Sequence, residues 1–208
     1  MRPQTATAVA EAARARGMSA LDAPVSGGER GAVDGTLSIM VGGEPEDVAR
    51  ARPVLDALGT TVVHVGGHGA GQTVKAANQL LVGGIAGLLA EAVALIEHSG
   101  LDPEPALSVI GNGLAANRFL DLKAASMLRR DFTPGFRCDL HLKDMGIALD
   151  AARSAGVSLP MTGMVGQLMA ALVAQGHGGS DHSAMLALID ALNGGTSQNR
   201  QANTPVRQ

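Results

Sequence analysis

The stretch Gly67–His98, GHGAGQTVKAANQLLVGGIAGLLAEAVALIEH, decides the fold of this chain. It begins as a glycine-rich turn, and from Gln72 onward it has no proline and a strongly apolar period. This pattern predicts one helix over Gln72–His98, roughly 40 Å long at 1.5 Å per residue. Strands and helices alternate before this helix, whereas only helices are predicted after it, so the helix joins two different kinds of structure.

The residues before the long helix predict an α/β layer with partly parallel strands, because strands and helices alternate along them. A glycine-rich loop, Ser26–Thr36, separates the first two strands. The predicted strands are Ala20–Val25, Leu37–Val41 and Thr60–Val65, and the predicted helices are Ala6–Arg16 and Pro45–Leu58.

The residues after the long helix predict a helical bundle. Proline, aspartate and asparagine stand at the expected helix starts, and glycine stands at several ends. The predicted helices begin at Pro103 and continue over Asn117–Leu128, Leu140–Ala155, Pro160–Ala174 and Ser183–Leu192. The domain prediction is an α/β part over 1–66, an all-helical part over 67–194 that includes the long helix, and a disordered polar tail over 195–208.

Composition excludes several classes of function. The net charge is -3, aromatic residues make up 1% of the chain, and no basic run occurs, which argues against nucleic acid as a partner. One cysteine, Cys138, favours a reducing compartment, and we expect the cytoplasm. Leu80–Ile96 contains Glu91 and three glycines, so it predicts a buried helix and no membrane partner. The six histidines lack ligand spacing, so no metal site is predicted.

A dinucleotide fingerprint would be a glycine-rich loop between a strand and a helix, and the sequence has no GxGxxG in that position. Gly111–Ala116 matches GxGxxA as a string. It follows a predicted helix and not a strand, so it is interpreted as a helix break.

Ser26, Gly27 and Gly28 directly follow the first predicted strand. Open α/β sheets bind ligands at the carboxyl ends of their strands, and consecutive glycine amides there can donate to a carboxylate. A plain turn is the alternative interpretation of these three residues.

Lysine is rare in this chain, since thirteen of its sixteen basic residues are arginine. Lys75 falls in the first turns of the long helix, near Asn78 and Gln79 on one face. A lysine against an apolar wall has its charged form disfavoured and can donate a proton, which arginine cannot do near neutrality. Lys143 and Asp144 lie in a predicted helix and could serve an anionic or nicotinamide ligand, or be ordinary surface residues.

Four segments in register together resemble the β-hydroxyacid dehydrogenase family. The resemblance covers nearly the whole chain, from Pro3 to about Leu192. The segments are LDAPVSGGERGAVDGTLSIMVGG (21–43), GHGAGQTVKAANQLL (67–81), DFTPGFRCDLHLKDMGIAL (131–149) and SDHSAM (180–185).

The resemblance implies a fold and a role for each candidate residue. Residues 1–66 would be the C-terminal part of an NAD(P)-binding Rossmann domain, followed by an interdomain helix and an all-α domain. Lys75 would be the catalytic acid/base. The substrate would contact Ser26, Gly27, Gly28, Asn78 and Gln79, and the cofactor would contact Lys143 and Asp144.

The implied reaction is hydride transfer between NAD or NADP and a small β-hydroxyacid or semialdehyde. Asn78-Gln79 stands where the family usually has Asn-Asn, which favours tartronate semialdehyde, reduced to glycerate, over 3-hydroxyisobutyrate. The family's glycine fingerprint and first strands would precede Met1, so we expect roughly 90 residues, about three units of ~30, to be missing. Two hypotheses are therefore considered. The first is an oxidoreductase of this family that assembles as a homo-oligomer through its helical domain and is catalytic if a complete nucleotide-binding domain is restored or supplied. The second is a non-catalytic remnant that dimerises or binds small acids.

Overall fold

The computed structural model of the protein describes residues 1–196. Its strands are β1 Val25–Ser26, β2 Ser38–Gly42 and β3 Thr61–Gly66. Its helices are α1 Pro3–Arg14, α2 Gly28–Val33, α3 Pro45–Leu58, α4 Ala70–His98, α5 Pro103–Gly111, α6 Arg118–Leu128, α7 Cys138–Ala155, α8 Pro160–Ala174 and α9 Met185–Leu192. The long predicted helix is confirmed as α4, which has 29 residues.

Two compact units make up the chain. Unit 1 is Met1–Leu80 with Lys143–Pro160, and unit 2 is Leu81–Leu142 with the residues from Met161 onward. The unit boundaries fall inside α4 and α7 and after the first residue of α8. The sequence places a domain boundary after residue 66, which stays a prediction. Residues 197–208 of the predicted disordered tail lie outside the described residues.

Unit 1 contains a three-stranded sheet in the order β1-β2-β3. β2 is parallel to β3, with Ile39 opposite Val62, and antiparallel to β1, with Val25 opposite Ile39. The parallel pair requires a crossover, which α3 provides. Partly parallel strands in an α/β part are thus confirmed. Its buried core consists of Leu37, Ile39, Val41, Val48 and Leu55.

Two local predictions in unit 1 are wrong. The first strand, predicted over Ala20–Val25, is reduced to β1 and an isolated bridge between Asp22 and Gly42, because Pro24 between them has no N–H to donate to a ladder. The predicted Ser26–Thr36 loop contains α2, which begins after Gly27 and includes helix-compatible residues such as Glu29 and Arg30.

Unit 2 is helical, and its core is a continuous apolar cluster. The cluster is built from the second half of α4, from α5 to α9 and from the segments between them. Its fully buried members include Val93, Met127, Met169, Leu172 and Leu186. By length and composition α4 is apolar enough to cross a membrane, but it contributes to this core, as core helices of soluble proteins do.

A buried carboxylate organises the polar centre of unit 2. Asp181, 1% exposed, accepts hydrogen bonds from Lys123 Nζ at 2.8 Å and from the backbone N–H groups of Gly135, Phe136 and Ser183 at 2.8, 3.0 and 3.1 Å. These donors outweigh burial and hold the pKa of Asp181 well below its usual range. Lys123, the one lysine that the sequence analysis did not place in the candidate site, therefore has a structural role.

His182 lies next to Asp181 and is buried against aromatic rings. Its Nδ1 is 3.1 Å from His141 Nδ1, and its ring contacts Phe119 and Phe136 edge-on. Burial lowers the pKa of His182 to about 4, although the charge of Asp181 opposes that shift. His182 is therefore neutral in the folded protein at pH 5 to 7.

We expect unit 2 to lose stability as the pH falls from about 6.5 to 4. In that window the imidazole of His182 is protonated in the unfolded chain but not in the folded chain. Acid therefore favours the unfolded state, and the stability present above pH 6.5 decreases until the pH reaches the folded-state pKa of His182. The loss should be about 2 to 3 kcal/mol at pH 4. Urea unfolding followed by circular dichroism at pH 7, 5.5 and 4.5 measures it.

His182→Gln should flatten that pH dependence, whereas His98→Gln, at an exposed histidine, should leave it unchanged. The stabilisation from the Asp181 carboxylate is fully present above pH 3.8 and is lost only below it, because the folded-state pKa of Asp181 is depressed. If the free energy of unfolding changed equally with pH in wild type and in His182→Gln between pH 6.5 and 4.5, His182 would not be the source of the pH dependence.

Candidate functional site

The start of α4 is held by the buried carboxylate of Asp22, which lies far from it in the sequence. Asp22 Oδ1 accepts from the N–H of Gly69 at 2.7 Å, and Oδ2 accepts from the N–H of Gln72 at 2.8 Å. Both donors belong to the group of N–H groups that a helix leaves without an intrahelical partner at its start. Asp22 therefore fixes the position of the helix that carries Lys75.

Glycines allow this close approach. A Cβ at Gly42 would overlap the Asp22 carboxylate, and a Cβ at Gly71 would overlap Met40 O and lie 2.9 Å from Asp22 Oδ2. Only residues without a side chain let β2 and the start of α4 close around this carboxylate. Gly42 at the end of β2 and Gly71 in the first turn of α4 are thus packing requirements of this contact.

Lys75 lies in the second turn of α4 and is half-buried. Burial lowers the pKa of its amine below the usual 10.5; the negative charge of Asp144 opposes this shift, and the positive charge of Lys143 reinforces it. The amine is therefore closer to giving up its proton near neutrality than a surface lysine is.

The structure joins four predicted site residues in one chain of polar contacts. Asn78 Nδ2 donates to Gln79 Oε1 at 2.9 Å, and Gln79 Nε2 donates to Asp144 Oδ2 at 2.8 Å. The other carboxylate oxygen, Asp144 Oδ1, is 2.9 Å from Lys143 Nζ. Residues from α4 and α7, separated by more than sixty positions, thus meet within unit 1.

A small cavity of about 20 Å³ lies beside these residues. Gln72, Lys75 and Gln79 line it from α4, and Asp144 and Ile147 line it from α7. A cavity of this size holds about one water-sized group. Lys75 can therefore face a single oxygen atom of a ligand in partly desolvated surroundings.

Ser26, Gly27 and Gly28 lie where β1 ends and α2 begins. Gly27 has φ +136° and Gly28 has φ +64°, conformations that favour glycine. A Cβ on Gly27 would lie 3.0 Å from Leu37 Cδ2, while the space at Gly28 is open. Both glycines are exposed, so their backbone is accessible to a ligand.

Sequence reasoning missed Asp22 as a site-forming residue. The available signal was an acid in the apolar stretch ALDAPV, where a charge needs a buried partner. The string at Gly111–Ala116 is located as interpreted, at the end of α5 and in the turn that follows. Within residues 1–196, no group of three or more His, Cys, Asp and Glu side chains is arranged to hold a metal ion.

Comparison with protein families gives two adjacent matches. Residues 69–189 match the family described as NAD-binding of NADP-dependent 3-hydroxyisobutyrate dehydrogenase, and residues 1–66 match the NAD binding domain of 6-phosphogluconate dehydrogenase. The chain belongs to the β-hydroxyacid dehydrogenase family. The resemblance predicted from the four sequence segments is thereby confirmed.

Individual family members are similar over most of this chain. The 2-hydroxy-3-oxopropionate reductase of Escherichia coli (strain K12) is 40% identical over 83% of the chain and 59% of its own length. The 3-hydroxyisobutyrate dehydrogenase of Pseudomonas aeruginosa is 41% identical over 89% of the chain and 65% of its own length. The chain therefore spans less than two thirds of these relatives.

A solved structure agrees with the fold. The crystal structure of 3-hydroxyisobutyrate dehydrogenase from Salmonella typhimurium superimposes with a TM-score of 0.83 at 30% identity, covering 90% of this chain and 66% of that one. The α/β part and the helical part of this chain thus follow the family's fold.

We expect Asp22→Asn to lower the free energy of unfolding by about 2 kcal/mol, because the amide keeps one acceptor oxygen but turns an NH₂ toward the other backbone N–H. Asp56→Asn is the matched control, since Asp56 pairs with Arg52 on the exposed surface and should cost less than about 0.5 kcal/mol. Chemical denaturation measures both, and equal losses would refute the role of Asp22.

The charges around Lys75 predict opposite shifts in two variants. Asp144→Asn removes the charge that raises the pKa of Lys75 and should lower it, whereas Lys143→Gln removes the charge that lowers this pKa and should raise it. The midpoint of amine labelling against pH, followed by mass spectrometry, reports each shift.

The chain has three lysines, so Lys123 serves as an internal reference in every labelling sample. Asp150→Asn, on the same helix as Asp144 but paired with Arg2 and Arg153, should leave the Lys75 midpoint in place. Shifts of the same sign in Asp144→Asn and Lys143→Gln would show that the charges do not act on Lys75 as described.

Proposed function

We propose that this chain carries the substrate site and the proton-transfer residue of an NAD(P)-dependent oxidoreductase that acts on small β-hydroxyacids. The observation that carries the proposal is the half-buried amine of Lys75 beside the Asn78–Gln79–Asp144–Lys143 chain of contacts. A general acid must combine access to the reacting oxygen with a pKa that approaches the working pH. The cavity beside Lys75 gives a reacting oxygen access to the amine, and burial lowers the pKa of that amine.

The residues present fit the nicotinamide end of NAD or NADP. Lys143 is 55% exposed and anchored by Asp144, so it offers a positioned positive charge to a ligand at the surface of α7. When bound, the reduced cofactor supplies the hydride that adds to the carbonyl carbon of the substrate.

Lys75 handles the proton of the reaction. As negative charge develops on the carbonyl oxygen, the ammonium donates a proton to that oxygen, and in the reverse direction the amine accepts the hydroxyl proton. The chain of contacts through Asn78, Gln79 and Asp144 limits the positions open to these side chains. We expect the ammonium of Lys75 to meet the oxygen in the cavity that Lys75 lines together with Gln79 and Asp144.

Ser26, Gly27 and Gly28 would hold the substrate carboxylate. The Ser26 hydroxyl and the exposed backbone of the two glycines offer several donors over a short distance, an arrangement that suits two carboxylate oxygens. The positive φ of both glycines is compatible with a plain turn as well, so the proposal rests on the exposure of their backbone.

Tartronate semialdehyde, reduced to glycerate, is the substrate we propose, with 3-hydroxyisobutyrate as the alternative. Gln79 at the second position of the Asn78-Gln79 pair supports the first, as does the similarity to a reductase of that substrate. The similarity to a 3-hydroxyisobutyrate dehydrogenase supports the second. We expect the protein to work in the cytoplasm as a homo-oligomer.

The first test is a fluorescence titration of NADPH and NADH into the purified chain, which has no tryptophan or tyrosine to interfere. Micromolar binding would mean that a partial site or a partner chain replaces the glycine-rich loop. Turnover assays should then give a higher kcat/KM for reduction of tartronate semialdehyde than for oxidation of 3-hydroxyisobutyrate. No binding of either nucleotide would mean that this chain carries the catalytic residues of a reductase without its cofactor-binding domain. The non-catalytic alternative is a module that dimerises or binds small acids.

Lys75→Arg should lower kcat by ~10²-fold or more, because arginine keeps the charge but cannot give up a proton. Lys123→Arg is the matched control: it keeps the ion pair to Asp181 and should retain turnover within about twofold. Near-wild-type turnover by Lys75→Arg would eliminate Lys75 as the acid.

A further inference from the structure

The three lysines of the chain differ in the contacts of their amines. Lys123 Nζ lies 2.8 Å from a carboxylate oxygen of Asp181, and Lys143 Nζ lies 2.9 Å from Asp144 Oδ1. Lys75 Nζ forms no hydrogen bond or ion pair within the part of the chain that the structure describes. The nitrogen of Lys75 is therefore available to a ligand.

The surroundings of Lys75 make its nitrogen a better nucleophile than that of a surface lysine. The side chain is half-buried and lines the cavity of about 20 Å³ that Gln79 and Asp144 also line. Burial and the charge of Lys143 lower the pKa of the amine, against the opposing charge of Asp144. Desolvation and a neighbouring cation are two of the conditions that make enzyme lysines nucleophilic toward carbonyl carbons.

We propose that Lys75 also captures small aldehydes as a covalent imine between its Nζ and the carbonyl carbon. This second reaction shares its amine with the proposed proton transfer, but it needs no nucleotide. Aldehydes react readily with amines, and tartronate semialdehyde carries an aldehyde group. The small cavity beside Lys75 restricts the reaction to aldehydes with little bulk at the carbonyl carbon.

The capture reaction replaces a C=O bond by a C=N bond. The neutral amine adds to the carbonyl carbon, so that an N–C bond forms and the oxygen becomes a hydroxyl group. The C–O bond then breaks, and the oxygen leaves as water with the two protons of the amine, while nothing is oxidised or reduced. The Asp144 carboxylate lines the same cavity and can pass a proton from the nitrogen to the departing oxygen.

Capture is reversible, because water hydrolyses the imine back to amine and aldehyde. While the imine persists, Lys75 has no proton to donate to a substrate oxygen. An aldehyde in excess therefore removes the acid that the proposed reaction requires, and it does so without displacing a nucleotide.

Reductive trapping locates the imine. The purified full chain is incubated at pH 7 with glycolaldehyde and sodium cyanoborohydride, which reduces an imine to a stable amine, and peptide mass spectrometry measures the adduct at each residue. Lys75 should carry about tenfold more adduct than Lys143 or Lys123, because ammonium groups in ion pairs hold their protons. In urea, where the fold is lost, the three lysines should react equally within about twofold.

Two variants separate an effect of the site from simple exposure. Lys143→Gln removes a charge that lowers the pKa of Lys75 and should slow adduct formation at Lys75 about threefold or more at pH 7. Lys123→Arg is the matched control, since it keeps the ion pair to Asp181 and should leave the rate at Lys75 within about twofold. Circular dichroism confirms that both variants fold.

Three results would overturn the proposal. Adduct in proportion to exposure, greatest at the 55% exposed Lys143, would show that Lys75 reacts as an ordinary lysine. Adduct confined to the α-amino group of Met1, another residue that lines the cavity, would assign the capture to that amine. Selectivity for Lys75 that persists in urea would show that the fold does not cause it. Because trapping needs no nucleotide, it can succeed or fail independently of the NADPH and NADH titration.

Discussion

The contact between the Asp22 carboxylate and the start of α4 is the interaction on which the candidate site depends. The two carboxylate oxygens accept hydrogen bonds from two backbone N–H groups that have no partner within the helix. Asp22 lies almost fifty residues before these donors in the sequence. Because glycines surround this carboxylate, the sheet and the helix approach more closely than side chains would allow. The candidate residues Lys75, Asn78 and Gln79 lie on the helix whose start this contact holds.

The charges near Lys75 act in opposite directions, and their balance suits acid/base chemistry. Burial lowers the pKa of the Lys75 amine, while the negative charge of Asp144 opposes that shift. Gln79 and Lys143 each occupy one oxygen of Asp144, so this carboxylate has a fixed position relative to the amine. The same group of residues therefore sets both the geometry and the protonation of the site.

Unit 2 contains a second buried carboxylate with a different task. Asp181 is saturated by one lysine and three backbone donors, and it ties the segment before α7 to the start of α9. Lysine thus serves two purposes in a chain that otherwise uses arginine. Lys123 completes a buried ion pair, and Lys75 has a shifted pKa in a small cavity.

The sequence by itself determined the helix that joins the two kinds of structure, the parallel pair of strands, most helix boundaries and the family. These features depend on local periodicity, on caps such as Asp102 and on motifs in register, which one segment can specify alone. Only the tertiary structure decided that Asp22 caps α4, that Gln79 contacts Asp144, and that Lys123 is structural while Lys75 faces a cavity. The physical reason is that burial and pKa depend on residues brought together from distant segments, which no local pattern encodes.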